Sequence, residues 1–249
     1  MANDDEINVN AAKFREVIST TLSSNIVSIV ARDAVKLDDA YARLTTLQSW
    51  RSFVLDGNVS NDALGFFAEA QNDGLTSSVL VSSGLWRSSM KSLRSLIENL
   101  IQSLYFMDHP VEYRKWEAGN YRPAFSELFN YFSDHPDIRE LSAPVNPVVS
   151  LKKHYSHLSN VVHSSAREFR MTGTIDKFSL WRIARADVGK WSTTQKNVLR
   201  DANLLLLVMF KDKLLGASNS GLRESLSLAL PSSKDARIKS DLGVKIIRK

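Results

Sequence analysis

Along most of the chain, apolar residues return every three or four positions, which is the spacing of helices rather than strands. It predicts a short helix over residues 8–21 and a long one over 26–55. In the second, Ile26, Ile29, Val30, Leu37, Tyr41, Leu44, Leu47 and Phe53 fall close to helical intervals. Asp56, Gly57 and Asn58 end it, glycine being suited to the left-handed position after a helix. Ser60 or Asn61 can cap the next helix, which runs through Ala63, Leu64, Phe66, Phe67 and Ala70. Asn72, Asp73 and Gly74 read as another break. Residues 75–107 are the longest uninterrupted helical stretch. Gly84 is its weak point, and Asp108, His109 and Pro110 terminate it.

Shorter helices are predicted over 111–118 and 122–132, the second closed by Asp134, His135 and Pro136. Residues 141–147 hold two prolines and read as a loop or linker. Residues 148–169 are helical again, up to a break at Thr172, Gly173 and Thr174. The stretch 175–185 is ambiguous, with 175–181 compatible with an extended strand. A strong helix follows over 193–215, with Val198, Leu205, Met209 and Leu214 on its apolar side. The sum is an all-α fold, a helical bundle of about seven or eight helices. One helical domain over 1–230 and a basic C-terminal tail over 231–249 is the natural division. An N-terminal helical subdomain over 1–73, ahead of a core over 75–215, is the alternative.

Composition sharpens this in a few places. Only 10 glycines and 6 prolines in 249 residues are too few for the turns of an all-β sandwich. There is no cysteine, which excludes disulfides and thiolate metal sites and fits a reducing, cytoplasmic setting. No signal peptide is visible, and the longest apolar run, 204–210, is too short to span a bilayer. The formal charge of +5 permits an RNA or acidic partner without demanding one. Six of the basic residues (Lys234, Arg237, Lys239, Lys245, Arg248 and Lys249) lie in the last stretch, read as a solvated tail or a phosphate-contacting one.

Two helices carry the candidate chemistry. In the helix over 75–107, Arg87, Lys91, Arg94, Glu98 and Tyr105 share one narrow sector. Trp86, Leu93, Leu96, Ile97, Leu100 and Leu104 cover a broad apolar side. Arg94 and Glu98, at i and i+4, form either a simple surface ion pair or an oriented guanidinium able to bind phosphate. Three of the five histidines, His154, His157 and His163, lie in the helix that follows the proline loop. Val148, Leu151, Tyr155, Leu158 and Val162 form its core face, with Ser159 and His163 on one flank and His154 and His157 around the other. Lys152 and Lys153 add positive charge, and no carboxylate follows on that helix before Glu168. Neither a metal site nor a cofactor is therefore expected. No strand-turn-helix elbow surrounds Ser159, which argues against acyl transfer.

RNA cleavage without a metal asks for less. The 2′-hydroxyl is the nucleophile, a histidine can move protons near neutral pH, and an arginine can stabilise the charged phosphate. His163 and Arg94 are the right residue types, and the two helices are expected to pack with Arg94, Glu98 and Ser159 around a common polar pocket beside His163. Tyr155 and His154 would support the site, and Arg87, Lys91, Lys152 and Lys153 would contact the nucleic acid.

Arg94, Glu98, Tyr105 and Pro110, followed by Tyr155, Leu158, Ser159, Val162 and His163, resemble the HEPN superfamily of helical proteins over about half the chain. The resemblance implies a helical bundle, dimerisation and, in catalytic members, ribonuclease activity in toxin–antitoxin or antiviral defence systems. Those members carry Arg-Asn-x-x-x-His on one helix, and here Leu158 and Ser159 stand at the Arg and Asn positions. The expected function is thus a metal-independent RNA endonuclease, acting as a toxin or defence effector, with Arg94 supplied from the other helix. The alternative is a non-catalytic helical interaction module, an adaptor, sensor or antitoxin-like subunit. A protein partner or a homo-oligomer is expected on either reading, and no membrane association.

Overall fold

The computed structural model describes residues 4–162 and 183–248. Among these residues there is no strand, and every regular element is a helix: α1 (Asp4–Trp50), α2 (Asn61–Ser82), α3 (Trp86–Asp108), α4 (Pro110–Glu117), α5 (Phe125–Asp134), α6 (Pro136–Arg139), α7 (Val148–Val162), α8 (Arg185–Met209), α9 (Ser220–Ser225) and α10 (Asp235–Leu242). A π-helical turn (Arg51–Leu55) extends α1, and short 3-10 turns join the last helices. No described helix is long and apolar enough to cross a membrane. The predicted break at Thr172, Gly173 and Thr174, the ambiguous stretch 175–181 and His163 lie outside the described residues.

Several predicted boundaries move. The first two helices are one. Ser19 and Ser23 bond back to the carbonyls of Glu16 and Ser19, so the polar run before Ile26 stays helical. The irregularity comes at Asp33 (φ −116°, ψ 22°). Its fully buried carboxylate is held by Arg32 at 2.7 Å and Lys36 at 2.6 Å.

The break at Gly74 does not exist either, because α2 runs through it. A Cβ on Gly74 would lie 2.4 Å from Leu44 Cδ2 and 3.2 Å from Leu96 Cδ1. Glycine is there for close helix packing, not for a turn. The turn falls at Gly84, whose φ of +77° is the left-handed conformation glycine adopts freely. The single helix expected over 75–107 is therefore the second part of α2 and all of α3, folded into an antiparallel hairpin. Ser77 donates to the Ser89 carbonyl at 2.9 Å and Ser103 to the Ala63 carbonyl at 2.7 Å. The helix expected from residue 193 starts at Arg185.

The core forms around α3 and α8. The predicted apolar side of α3 (Trp86, Leu93, Leu96, Ile97, Leu100 and Leu104) is buried throughout, and in α8 residues 201–208 are all buried. α1 lies parallel to α8 and is joined to it by polar side chains that hydrogen-bond across the core. Trp50 Nε1 donates to Asn203 Oδ1 at 2.9 Å, and Asn203 Nδ2 donates to Thr46 Oγ1 at 2.9 Å. A turn away, Arg43 Nε donates to Gln195 Oε1 at 3.0 Å, and Gln195 Nε2 to the Ala40 carbonyl at 2.8 Å.

The basic C-terminal stretch is not a loose tail. Ile238, Leu242, Val244 and Ile246 are buried in the same hydrophobic cluster as Ile29 and Leu93. Arg248 pairs with Asp235 through two bonds, at 2.6 and 2.7 Å. Apolar residues between the lysines and arginines anchor the segment, so its charges decorate a packed element.

Candidate functional site

α7 lies antiparallel to α3, and their facing polar flanks form one hydrogen-bonded seam. Arg94 sits at its centre. Its Nη2 lies 2.6 Å from Glu98 Oε1 and donates to the Tyr155 hydroxyl at 2.8 Å. Its Nε donates to Ser159 Oγ at 3.2 Å. The Tyr155 hydroxyl in turn donates to Glu98 Oε1 at 3.2 Å. Local geometry dictates half of this arrangement: Arg94 and Glu98 are one helical turn apart, as are Tyr155 and Ser159, so each helix offers two neighbouring polar groups. Ser159 Oγ also donates to the Tyr155 carbonyl at 2.8 Å, which fixes its rotamer. Phe125 of α5 stacks on Tyr155 with ring centroids 4.9 Å apart and holds the phenol from the other side.

Burial pushes the Glu98 carboxyl above its ordinary range, and the Asp73 charge adds to this, although Arg94 and the Tyr155 hydroxyl pull it back. Asp73 is likewise raised by burial and by Glu69, against a 2.8 Å hydrogen bond from Asn99. The seam is thus a half-buried, charge-balanced network. Arg94 spends one terminal nitrogen and Nε on protein partners, and its charge is matched by Glu98.

Arg94, Glu98 and Ser159 come together, with Tyr155 between them; His163, beside which their common pocket was expected, lies outside the described residues. Arg87 lies at the same seam, with Nε donating to the Val161 carbonyl of α7 at 3.1 Å. Lys91, Lys152 and Lys153 are exposed.

His154 is not part of this seam. It projects from the opposite flank of α7 to α8, where its Nε2 lies 3.2 Å from Asp201 Oδ2. Ser150 Oγ also donates to Asp201 Oδ2, and Arg200 clamps the carboxylate at 2.6 and 2.8 Å. Burial alone would raise the Asp201 carboxyl, but hydrogen bonds from His154, Arg200 and Ser150, with the Arg200 charge, hold it below the usual range.

Ser150, His154 and Asp201 do not make a nucleophilic relay. Both the serine oxygen, at 3.4 Å, and the carboxylate face the same imidazole nitrogen, Nε2. A relay needs them on opposite nitrogens. Among the described residues no group of three or more metal-ligating side chains is placed to hold an ion.

No protein-family model matches the chain, no curated protein matches it, and no solved structure matches it.

Asp201, Ser150 and Phe125 were not among the residues expected at the site. A signal existed for the first. Arg200 and Asp201 adjoin the most apolar run of the chain, and a charge there must be paired once buried. Phe125 gave no signal, because only the packing of α5 brings it to Tyr155.

Proposed function

We propose that this chain is a non-catalytic helical interaction module that works by binding another protein chain through the first half of α1. One observation carries this reading. Over residues 4–24 no side chain of α1 is buried, yet Ile7 is 53% exposed, Phe14 53% and Ile18 37%. A helix of this length gains most of its stability from packing an apolar face, and large exposed apolar side chains grouped on one element mark an interaction surface. The state of Arg94 supports the same reading. Its Nη2 and Nε are bound by Glu98, Tyr155 and Ser159, so a phosphate held by two of its nitrogens would have to displace an existing partner.

RNA cleavage is the second reading, and the 3.2 Å contact between Arg94 and Ser159 favours it. Ser159 stands four residues before His163 in the sequence, and His163 is the proton-transferring residue this reading requires. On this reading Arg94 stabilises the transferring phosphate and His163 moves the 2′-hydroxyl proton.

One assay separates the two. Purified chain is incubated with total cellular RNA in EDTA, beside Arg94→Ala and His163→Ala. The interaction module leaves RNA intact in all three samples. Cleavage by the wild type that both substitutions abolish overturns the module and establishes the nuclease.

A further inference from the structure

One line of apolar residues runs along the first half of α1, with the exposed Val9 and Val17 lying off it. At 100° per residue, Ile7, Ala11, Phe14 and Ile18 fall within a sector of about 60°. Leu22, Asn25 and Ile29 continue the same line, and Asn25 and Ile29 are buried where the helix enters the bundle. The steps along this stripe are four, three and four residues, then the same again. That is an eleven-residue repeat, which keeps a stripe on one face of an almost straight helix. The seam that seats the second half of α1 in the core therefore runs on along its first half, where no side chain of residues 4–24 is buried among the described residues.

Resting on the module reading, we propose that the partner is a second copy of this chain, with the two projecting helices packed antiparallel over residues 7–18. The stripe is self-complementary in that direction, as a two-fold interface requires. The spacing of Ile7, Ala11, Phe14 and Ile18 reads the same from either end. Antiparallel pairing sets Ile7 against Ile18 of the second copy and Ala11 against its Phe14. Each large ring then meets a small residue, and the four layers pack without a clash.

Parallel pairing does worse on three counts. It stacks Phe14 on Phe14 and leaves Ala11 facing Ala11. It brings the acidic first turns (Asp4, Asp5 and Glu6) of both helices together, where like charges repel. It also aligns the helix dipoles, whereas antiparallel helices place opposite ends side by side. In the antiparallel arrangement the acidic turn lies beside the neutral Ser19, Thr20 and Thr21, and the two bundles emerge at opposite ends. The paired length is about 17 Å, so the interface is small, at or below about 1,200 Å², and the dimer is concentration-dependent.

The absence of native cysteine makes the test clean. Ile7→Cys and Ile18→Cys chains are mixed under mild oxidation, and each is also oxidised alone. The expected result is a disulfide joining the two different variants in the mixture, and little cross-linking in either single sample. In sedimentation equilibrium up to the high micromolar range, the mass rises from 27.9 kDa towards twice that value. Phe14→Asp should weaken the association at least tenfold without altering the thermal unfolding of the bundle. Phe14→Ala should weaken it too, and adding Ala11→Phe should restore it, since the ring then fills the same layer from the other helix. A monomer at every concentration overturns the proposal, and so does Ile7→Cys alone cross-linking to itself as readily as to Ile18→Cys. Neither outcome touches the module reading, which falls only if the RNA is cleaved.

Discussion

Tyr155 binds Arg94 in two ways at once: its hydroxyl accepts from the guanidinium at 2.8 Å, and its ring centroid lies 4.9 Å from the guanidinium carbon. The phenol then passes its own proton towards Glu98. Arginine, tyrosine and carboxylate thus close a three-membered ring across the α3–α7 seam. Tyr155→Phe keeps the ring contact and removes the hydroxyl, leaving a half-buried charge pair one partner short. The expected loss is about 1–2 kcal/mol of stability, measured by urea denaturation. A negligible loss would mean that the hydroxyl bonds are replaced by water.

Glu98 sets a pH dependence. Its folded-state carboxyl is raised by burial and by Asp73. A raised carboxyl binds its proton more tightly in the folded than in the unfolded chain. Stability attributable to this group therefore increases as pH falls through the folded value, and the gain is complete below the unfolded value of about 4.3. Glu98→Gln should remove this slope from the unfolding free energy. Arg94→Met removes the main group pulling the carboxyl down, so Glu98 should titrate still higher, as read by carboxyl NMR.

Asp201 behaves in the opposite sense. Its carboxyl is held low by its three donors, so its stabilisation is present above the unfolded value of about 3.9 and is lost as pH falls through the folded value. Asp201→Asn leaves Arg200 without its counter-charge. At neutral pH it should cost about 3 kcal/mol, as for breaking a buried pair. In strong acid the difference from wild type should shrink, which chemical denaturation at several pH values will show.

Asn203 is the polar pin between α1 and α8. Asn203→Ala strips the partner from Trp50 Nε1 and removes the donor to Thr46 Oγ1, both in the core. The expected loss is about 2–3 kcal/mol, measured as a lowered urea midpoint with an unchanged slope. A changed slope would instead report a loosened native state.

Much of this protein was legible from local pattern. A period of three to four residues is a property of the helix itself, so it identified the all-α class and the buried side of α3. It also put Arg94 next to Glu98, and Ser159 and His154 on opposite flanks of α7, before any packing was known. What lies opposite a residue is not a local property. Gly74 read as a break and Gly84 as only a weak point within a helix, yet Leu44 and Leu96 press on the first while the backbone turns back at the second. His154 could have faced α3 as readily as α8, and only the position of Asp201 decided it. The six basic residues near the C-terminus read as a solvated tail, until the core offered a site for Ile238, Leu242 and Val244 between them. In each case the deciding contact comes from a segment tens of residues or more away, and its free energy appears only once both segments have left water.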